Sequence, residues 1–296
     1  MKIINALFHA LLTVLFLFSV SCDRQDGPAL YNKGIFPDTL LPLNNINSEY
    51  DDYNSDINAF TRAVPIIFSS NRGSLGEQFD LVYGVFTYIF LRETGEFTLK
   101  AEPEVDNFLS GLVSIVNTPR DEFGPYRLYS AINGFEYLVV SSVNESGDLD
   151  FQYVRNLPYF GSTVPVPEGP WPVRLLNSHN DEGYFCFDTD QDTAYFTRKE
   201  EGDFDIYLHP KDPSLTIDEW FSLEYEESVK ASGLNSEGND KCPYVYRNVM
   251  VFASDRSGGM GGYDLYYSVF SAGKWSSPVN FGPRVNSSSN EYRPVL

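Results

Sequence analysis

Asn235-Ser236-Glu237-Gly238-Asn239-Asp240, then Val251-Phe252-Ala253-Ser254-Asp255-Arg256, then Tyr263-Asp264-Leu265 form one unit of a pattern that this chain repeats. The opening turn also occurs at Asn47-Ser48, Asn117-Thr118, Asn177-Ser178 and Asn286-Ser287, so successive openings are 70, 60, 58 and 51 residues apart. Self-similarity at that period marks a repeat architecture. After each opening comes a short apolar run: Ile66-Ile67-Phe68-Ser69-Ser70, Leu138-Val139-Val140-Ser141-Ser142, Ala194-Tyr195-Phe196-Thr197 or Val251-Phe252-Ala253-Ser254. Such runs, rich in β-branched and aromatic residues and bounded by turn residues, read as buried strands. A turn follows, then an Asp flanked by large side chains: Phe79-Asp80-Leu81, Leu149-Asp150-Phe151, Phe204-Asp205-Ile206 and Tyr263-Asp264-Leu265. Gly147, Gly202 and Gly261-Gly262 sit in these turns, where a hairpin needs positive φ.

Trp171, Trp220 and Trp275 all fall between the Asp step and the next opening, and Phe97 takes that phase in the first unit. Each is expected to mark an outer strand and to pack a ring between repeats. Four strands per unit, with no helical period of note, predict an all-β fold: a β-propeller of four four-stranded blades, with five as the alternative. The lone segment Tyr292–Leu296 is expected to close the ring by completing the first blade.

The run from Ala253 to Tyr266, followed by Lys274-Trp275-Ser276-Ser277-Pro278-Val279-Asn280-Phe281-Gly282, resembles the WD-like propeller repeat of TolB-type proteins. Residues 286–296 resemble the start of another such repeat. The likeness covers roughly 47–296 and is strongest in the fourth unit. The second unit departs from it, with Ser142-Val143-Asn144 where the pattern has an Asp/Asn-Arg pair, and the third has Arg198-Lys199-Glu200. The resemblance implies an envelope protein that scaffolds other proteins, and no particular reaction.

Residues 1–21 read as an export signal: Lys2, then an apolar run from Ala6 to Val20 broken only by His9 and Thr13. Ser19-Val20-Ser21-Cys22 resembles a lipoprotein processing box, so Cys22 is the expected lipid attachment point, tethering the protein to the bacterial outer membrane. Residues 22–46, with Gly27-Pro28, Gly34, Pro37 and Pro42, form the expected linker to a domain at 47–296. The net charge is −20, one unit more negative once Lys2 is removed, which disfavours nucleic acid as a partner.

The chemistry legible in the sequence is sparse. His179 and His209 lack zinc-ligand or nucleophile-elbow spacing and read as surface residues. Asp188-Thr189-Asp190-Gln191-Asp192 invites a calcium reading, but Thr193 and Lys199 stand where an EF-hand loop needs Gly and Glu, so a turn is expected. The repeated Asp80, Asp150, Asp205 and Asp264 are expected to meet backbone donors or an Arg such as Arg72 or Arg256. No cofactor and no metal ligand set is read. Cys186 and Cys242 fall in the same strand of neighbouring units, as a disulfide or as two buried thiols.

The candidate binding surface is a rim of opening-turn acids: Asp51, Asp52, Asp121, Glu122, Asp181, Glu182, Asp240 and Glu291. The leading expectation is a non-catalytic, lipid-anchored propeller that binds envelope proteins, with cell-wall or glycan components as further partners. The alternative is a glycan-binding or glycan-hydrolysing propeller. Paired carboxyls in a deep central pocket beside exposed Tyr or Trp would mark that alternative, and a plugged axis the scaffold.

Overall fold

The computed structural model describes residues 42–57, 63–103, 107–157 and 166–295. The export signal, Cys22 and most of the expected linker lie outside the described residues. Among those described, the chain forms a four-bladed β-propeller of antiparallel sheets. The first blade is β1 (Asp52–Ile57), β2 (Ala63–Ser70), β3 (Asp80–Phe90) and β4 (Phe97–Glu102). The second is β5 (Glu122–Tyr129), β6 (Glu136–Val143), β7 (Leu149–Asn156) and β8 (Glu168–Pro172). The third comprises β9 (Asp181–Phe187), β10 (Thr193–Glu200), β11 (Asp203–Pro210) and β12 (Val229–Lys230). In the fourth, β13 (Asp240–Tyr246), β14 (Val249–Ser254) and β15 (Asp264–Ser271) pair in order, and β15 is flanked by β16 (Lys274–Trp275) and β17 (Val279–Asn280). Residues 89–98, the far end of the β3–β4 hairpin, belong to a unit separate from the other described residues. Its turn is closed by Gly95 N–H donating to Leu91 O.

The second strand of each blade is apolar on both faces because both are covered. In β6, Leu138 and Val140 join Ile67, Leu81 and Val154 in the core between blades one and two. Their alternates Tyr137 and Val139 join Phe151, Phe185 and Phe196 between blades two and three. A strand buried on both sides reads as a continuous apolar run, as these do. A third core sets Cys186, Tyr195 and Ile206 against Met250, Phe252 and Tyr266.

Two α-helices interrupt the all-β pattern among the described residues. α1 (Asn107–Val116) precedes the second blade and buries Leu109, Leu112, Val113 and Val116 in the core between blades one and two. That i, i+3, i+4, i+7 spacing is a helical stripe. It lies within the 70-residue interval between openings, the longest of the four. α2 (Ile217–Phe221) starts at a capping box in which Thr216 and Glu219 satisfy each other's backbone N–H. It carries Trp220 into the core at 1 % exposure, so this tryptophan lies on a helix and not on an outer strand. Trp171 is on β8 and Trp275 on the two-residue β16.

The Asn of each opening turn has a defined task. Asn177 Oδ1 accepts from Phe151 N–H and its Nδ2 donates to Phe151 O, both at 2.9 Å. Asn117 does the same to Leu81, Asn235 to Ile206 and Asn286 to Leu265. Each Asn thus fastens the third strand of the blade before it and satisfies a backbone N–H there. The residue that follows the acid of each turn by two lies in the left-handed region in every unit: Asn54, Gly124, Tyr184, Cys242 and Arg293 have φ of 59°, 56°, 60°, 56° and 37°. In the four inner strands a register break falls at this residue, a β-bulge.

The expectation that residues 292–296 complete the first blade is corrected. That blade draws all four strands from residues 52–102, and residues 291–295 form no ladder. The segment instead repeats the inner-strand opening. Glu291 N–H donates to Tyr263 O as Glu122 N–H donates to Phe79 O, and Tyr292 packs between Tyr263 and Tyr53.

Candidate functional site

The acids expected at an accessible rim are built into the turns. Glu122, Glu182 and Asp240 are fully buried. In each unit the Ser or Thr four residues earlier donates through both its backbone N–H and its hydroxyl: Ser48 to Asp52, Thr118 to Glu122, Ser178 to Glu182, Ser236 to Asp240, Ser287 to Glu291. Asp121 and Asp181 accept the backbone N–H of Phe79 and Leu149 and so stitch neighbouring blades together. Asp51 alone of the eight is exposed. The Asp of the third strand is held by local donors: Gln78 for Asp80, Asn144 for Asp150, Lys230 for Asp205, and Met260 N–H with Asn280 for Asp264. Arg72 and Arg256 pair with Asp52 and Asp240 instead.

The inner strands β1, β5, β9 and β13 converge on buried side chains. Arg293, 3 % exposed, reaches in from the C-terminal segment and donates to Pro125 O and Phe185 O. Asp56 is equally buried there and accepts from Arg127 N–H. Burial lifts its carboxyl to about 6, with Arg293 and Arg127 opposing. Cys186 and Cys242 are both free thiols with no exposure. Cys242 sits at the bulge residue and Cys186 two residues beyond it along its own strand. Burial raises their thiols to about 11 and 12 respectively. His179 is exposed, but His209 is buried at 7 %, bonded to Ser228 and edge-on to Trp220.

An open cleft of about 470 Å³ lies where the β9–β10 turn meets the fourth blade. Its size suits a small ligand. Asp188, Thr189, Asp190, Asp192 and Thr193 line one side, and Tyr195, Val245, Arg247, Phe270 and Trp275 the other. The turn expected at 188–192 is present: Gln191 N–H donates to Asp188 O, and Asp192 N–H to Asp188 Oδ1 at 3.0 Å. Thr189 Oγ1 accepts from Arg247 N–H at 2.6 Å and ties the two blades together. Burial and the adjoining Asp192 carboxyl lift Asp188 to about 6. The aromatic wall is rigid, with Trp275 packed at 5.1 Å from Phe270 and 6.0 Å from Tyr195. Phe270 is 42 % exposed. Trp275 is 9 % exposed, and its Nε1 makes no hydrogen bond of good geometry, although Tyr195 lies close enough to feel it. The sequence placed Asp188, Asp190 and Asp192 in a turn and Trp275 in a repeat phase, but held no sign that the two would meet.

No family model and no curated protein matches the sequence. Among solved structures, the chain is similar to the catalytic domain of a Coprinopsis cinerea GH62 α-L-arabinofuranosidase, at 14 % identity over 81 % of this chain and 72 % of that one, TM-score 0.46. It is similar to an exo-β-1,3-galactanase from Phanerochaete chrysosporium, at 10 % identity over 78 % of this chain and half of that one, TM-score 0.44. A Bacteroides ovatus glycosyl hydrolase matches at 10 % identity over 92 % of this chain and 80 % of that one, TM-score 0.41. All three are glycoside hydrolases, whereas the sequence led to the expectation of a non-catalytic protein-interaction scaffold that is not an enzyme.

Proposed function

We propose that the protein is a glycan-hydrolysing propeller whose site is the cleft between the third and fourth blades. The observation that carries this reading is one protonatable carboxyl facing an aromatic wall in a cleft of small-ligand size. Sugars present apolar CH faces to aromatic rings and hydroxyls to carboxylates. Phe270 offers the ring and Asp190 offers an exposed acceptor.

Asp188 suits the role of general acid because its proton is retained up to about pH 6. It would protonate the leaving glycosidic oxygen while Asp190 takes a proton from the attacking water. The bond from the anomeric carbon to the leaving oxygen breaks as the bond to water oxygen forms. Asp192 cannot be that base. Its carboxyl adjoins that of Asp188, whereas paired glycosidase carboxyls stand about 5 to 9.5 Å apart.

Residues 1–22 support an exported, lipid-anchored protein that would meet glycan at the cell envelope. The test is reducing-sugar release from a panel of polysaccharides. Asp188→Asn is expected to cut the rate at least 100-fold. For the native protein the rate should fall as pH rises through about 6, because Asp188 loses its proton there. Hydrolysis unchanged by Asp188→Asn, or by Asp190→Asn, would overturn the assignment.

A further inference from the structure

Three of the four blades place a guanidinium at the same point, against the acid of the opening turn. Arg72 donates to Asp52 Oδ1, to Ser70 Oγ at 2.9 Å and to Ile46 O at 2.6 Å. Arg256 repeats all three contacts, to Asp240, to Ser254 Oγ at 2.8 Å and to Leu234 O at 2.7 Å. Arg198 arrives from a position two residues earlier in the unit, yet meets Glu182 at 2.8 Å and Leu176 O at 3.3 Å. The carbonyl reached is always that of the residue before the opening Asn. One cation therefore fills a pocket of carboxylate and carbonyl oxygen in each of these blades, with a serine hydroxyl added in the first and fourth.

The second blade keeps the oxygens and lacks the arginine. Glu122 is fully buried, with Oε1 held by Thr118 and by Ser142 Oγ at 3.1 Å. Its Oε2 is buried with no hydrogen-bond partner. Asn144 takes the place of Arg72 and Arg256, and its amide turns away to Asp150. Arg120 points elsewhere, to Val143 O and Glu145. Val116 precedes the opening Asn117 and ends α1, where helix carbonyls concentrate negative potential. The Asp80 carboxylate adds to that potential at Glu122. A buried carboxylate oxygen without a counter-charge is costly.

We propose that a calcium ion occupies this point in the second blade and does there what the arginine does in the other three. Glu122 Oε2, Ser142 Oγ and Val116 O would be its protein ligands, with water completing the oxygen shell that calcium prefers. The residues suit calcium better than a transition metal, since no imidazole or thiolate is offered. The proposal concerns a seam between blades and is independent of the glycan cleft.

The test is thermal unfolding of chelator-treated protein with and without millimolar calcium chloride. Calcium should raise the midpoint by about 3 °C or more, because a ligand bound only to the folded state stabilises it by mass action. Glu122→Gln should abolish the shift while keeping the bonds to Thr118. Asn144→Arg, which installs the missing guanidinium, should abolish it too and leave the chelated protein at least as stable as the native one. No shift in the native protein would overturn the proposal. So would an equal shift from sodium chloride of matched ionic strength, or a calcium shift that survives Glu122→Gln.

Discussion

At the scale of single residues, the titratable groups divide between fastening and chemistry. Asp56 lies in the axis, and burial holds its proton to about pH 6 against an ordinary value of 3.8. The folded state therefore keeps a proton that the unfolded chain has released between about pH 4 and 6. Its contribution to stability is whole below that window and is lost as pH rises through it. Asp56→Asn removes the titration. Between pH 4 and 7 the unfolding free energy of the variant should change by about 3 kcal/mol more favourably than that of the native protein. Urea unfolding at the two pH values measures it, and parallel pH dependence in both proteins would contradict it. None of this was legible in the sequence. Asp56 falls outside the repeated acid positions, and its environment comes from Arg127 in β5 and from Arg293, more than 160 residues further along the chain.

At the scale of elements, the repeat was legible because it consists of the fasteners themselves. The opening Asn, the Ser or Thr after it and the acid four residues beyond recur because each blade edge requires the same three hydrogen-bonding tasks. The sequence could show that they recur but not what they do, so the acids read as a rim, whereas all but Asp51 are buried or half-buried in their own turns. Asn177→Ala should orphan the backbone N–H of Phe151, while its C=O keeps the bond from Val173 N–H, and cost about 1–3 kcal/mol. Asn47 is exposed and, among the described residues, fastens no preceding strand. Asn47→Ala should therefore stay within about 0.5 kcal/mol of the native protein. Chemical denaturation of the pair compares the same substitution with and without the bracket, and equal losses would contradict this account of the motif. α1 was missed because its apolar stripe lies in a repeat read at a period of two, although the long first interval marked an insertion.

At the scale of the whole molecule, the inner strands set side by side residues that the sequence keeps far apart. The third blade contributes the acidic turn of the cleft and the fourth its aromatic wall, and Thr189 and Arg247 hold the two together at 2.6 Å. That meeting depends on how blades adjoin, which repeat spacing does not encode. The choice of blade count and strand order was legible; the location of the cleft, and the filling of the axis by Arg293, were not. The most direct measurement of the central claim is retention of the native protein and of Phe270→Ala on immobilised polysaccharides, at pH 5.5 and moderate salt. The account expects the native protein to be retained by at least one glycan, and the loss of the exposed ring to weaken that retention about tenfold or more. Failure to be retained by any glycan, or retention unaltered in Phe270→Ala, would contradict a carbohydrate site between these blades.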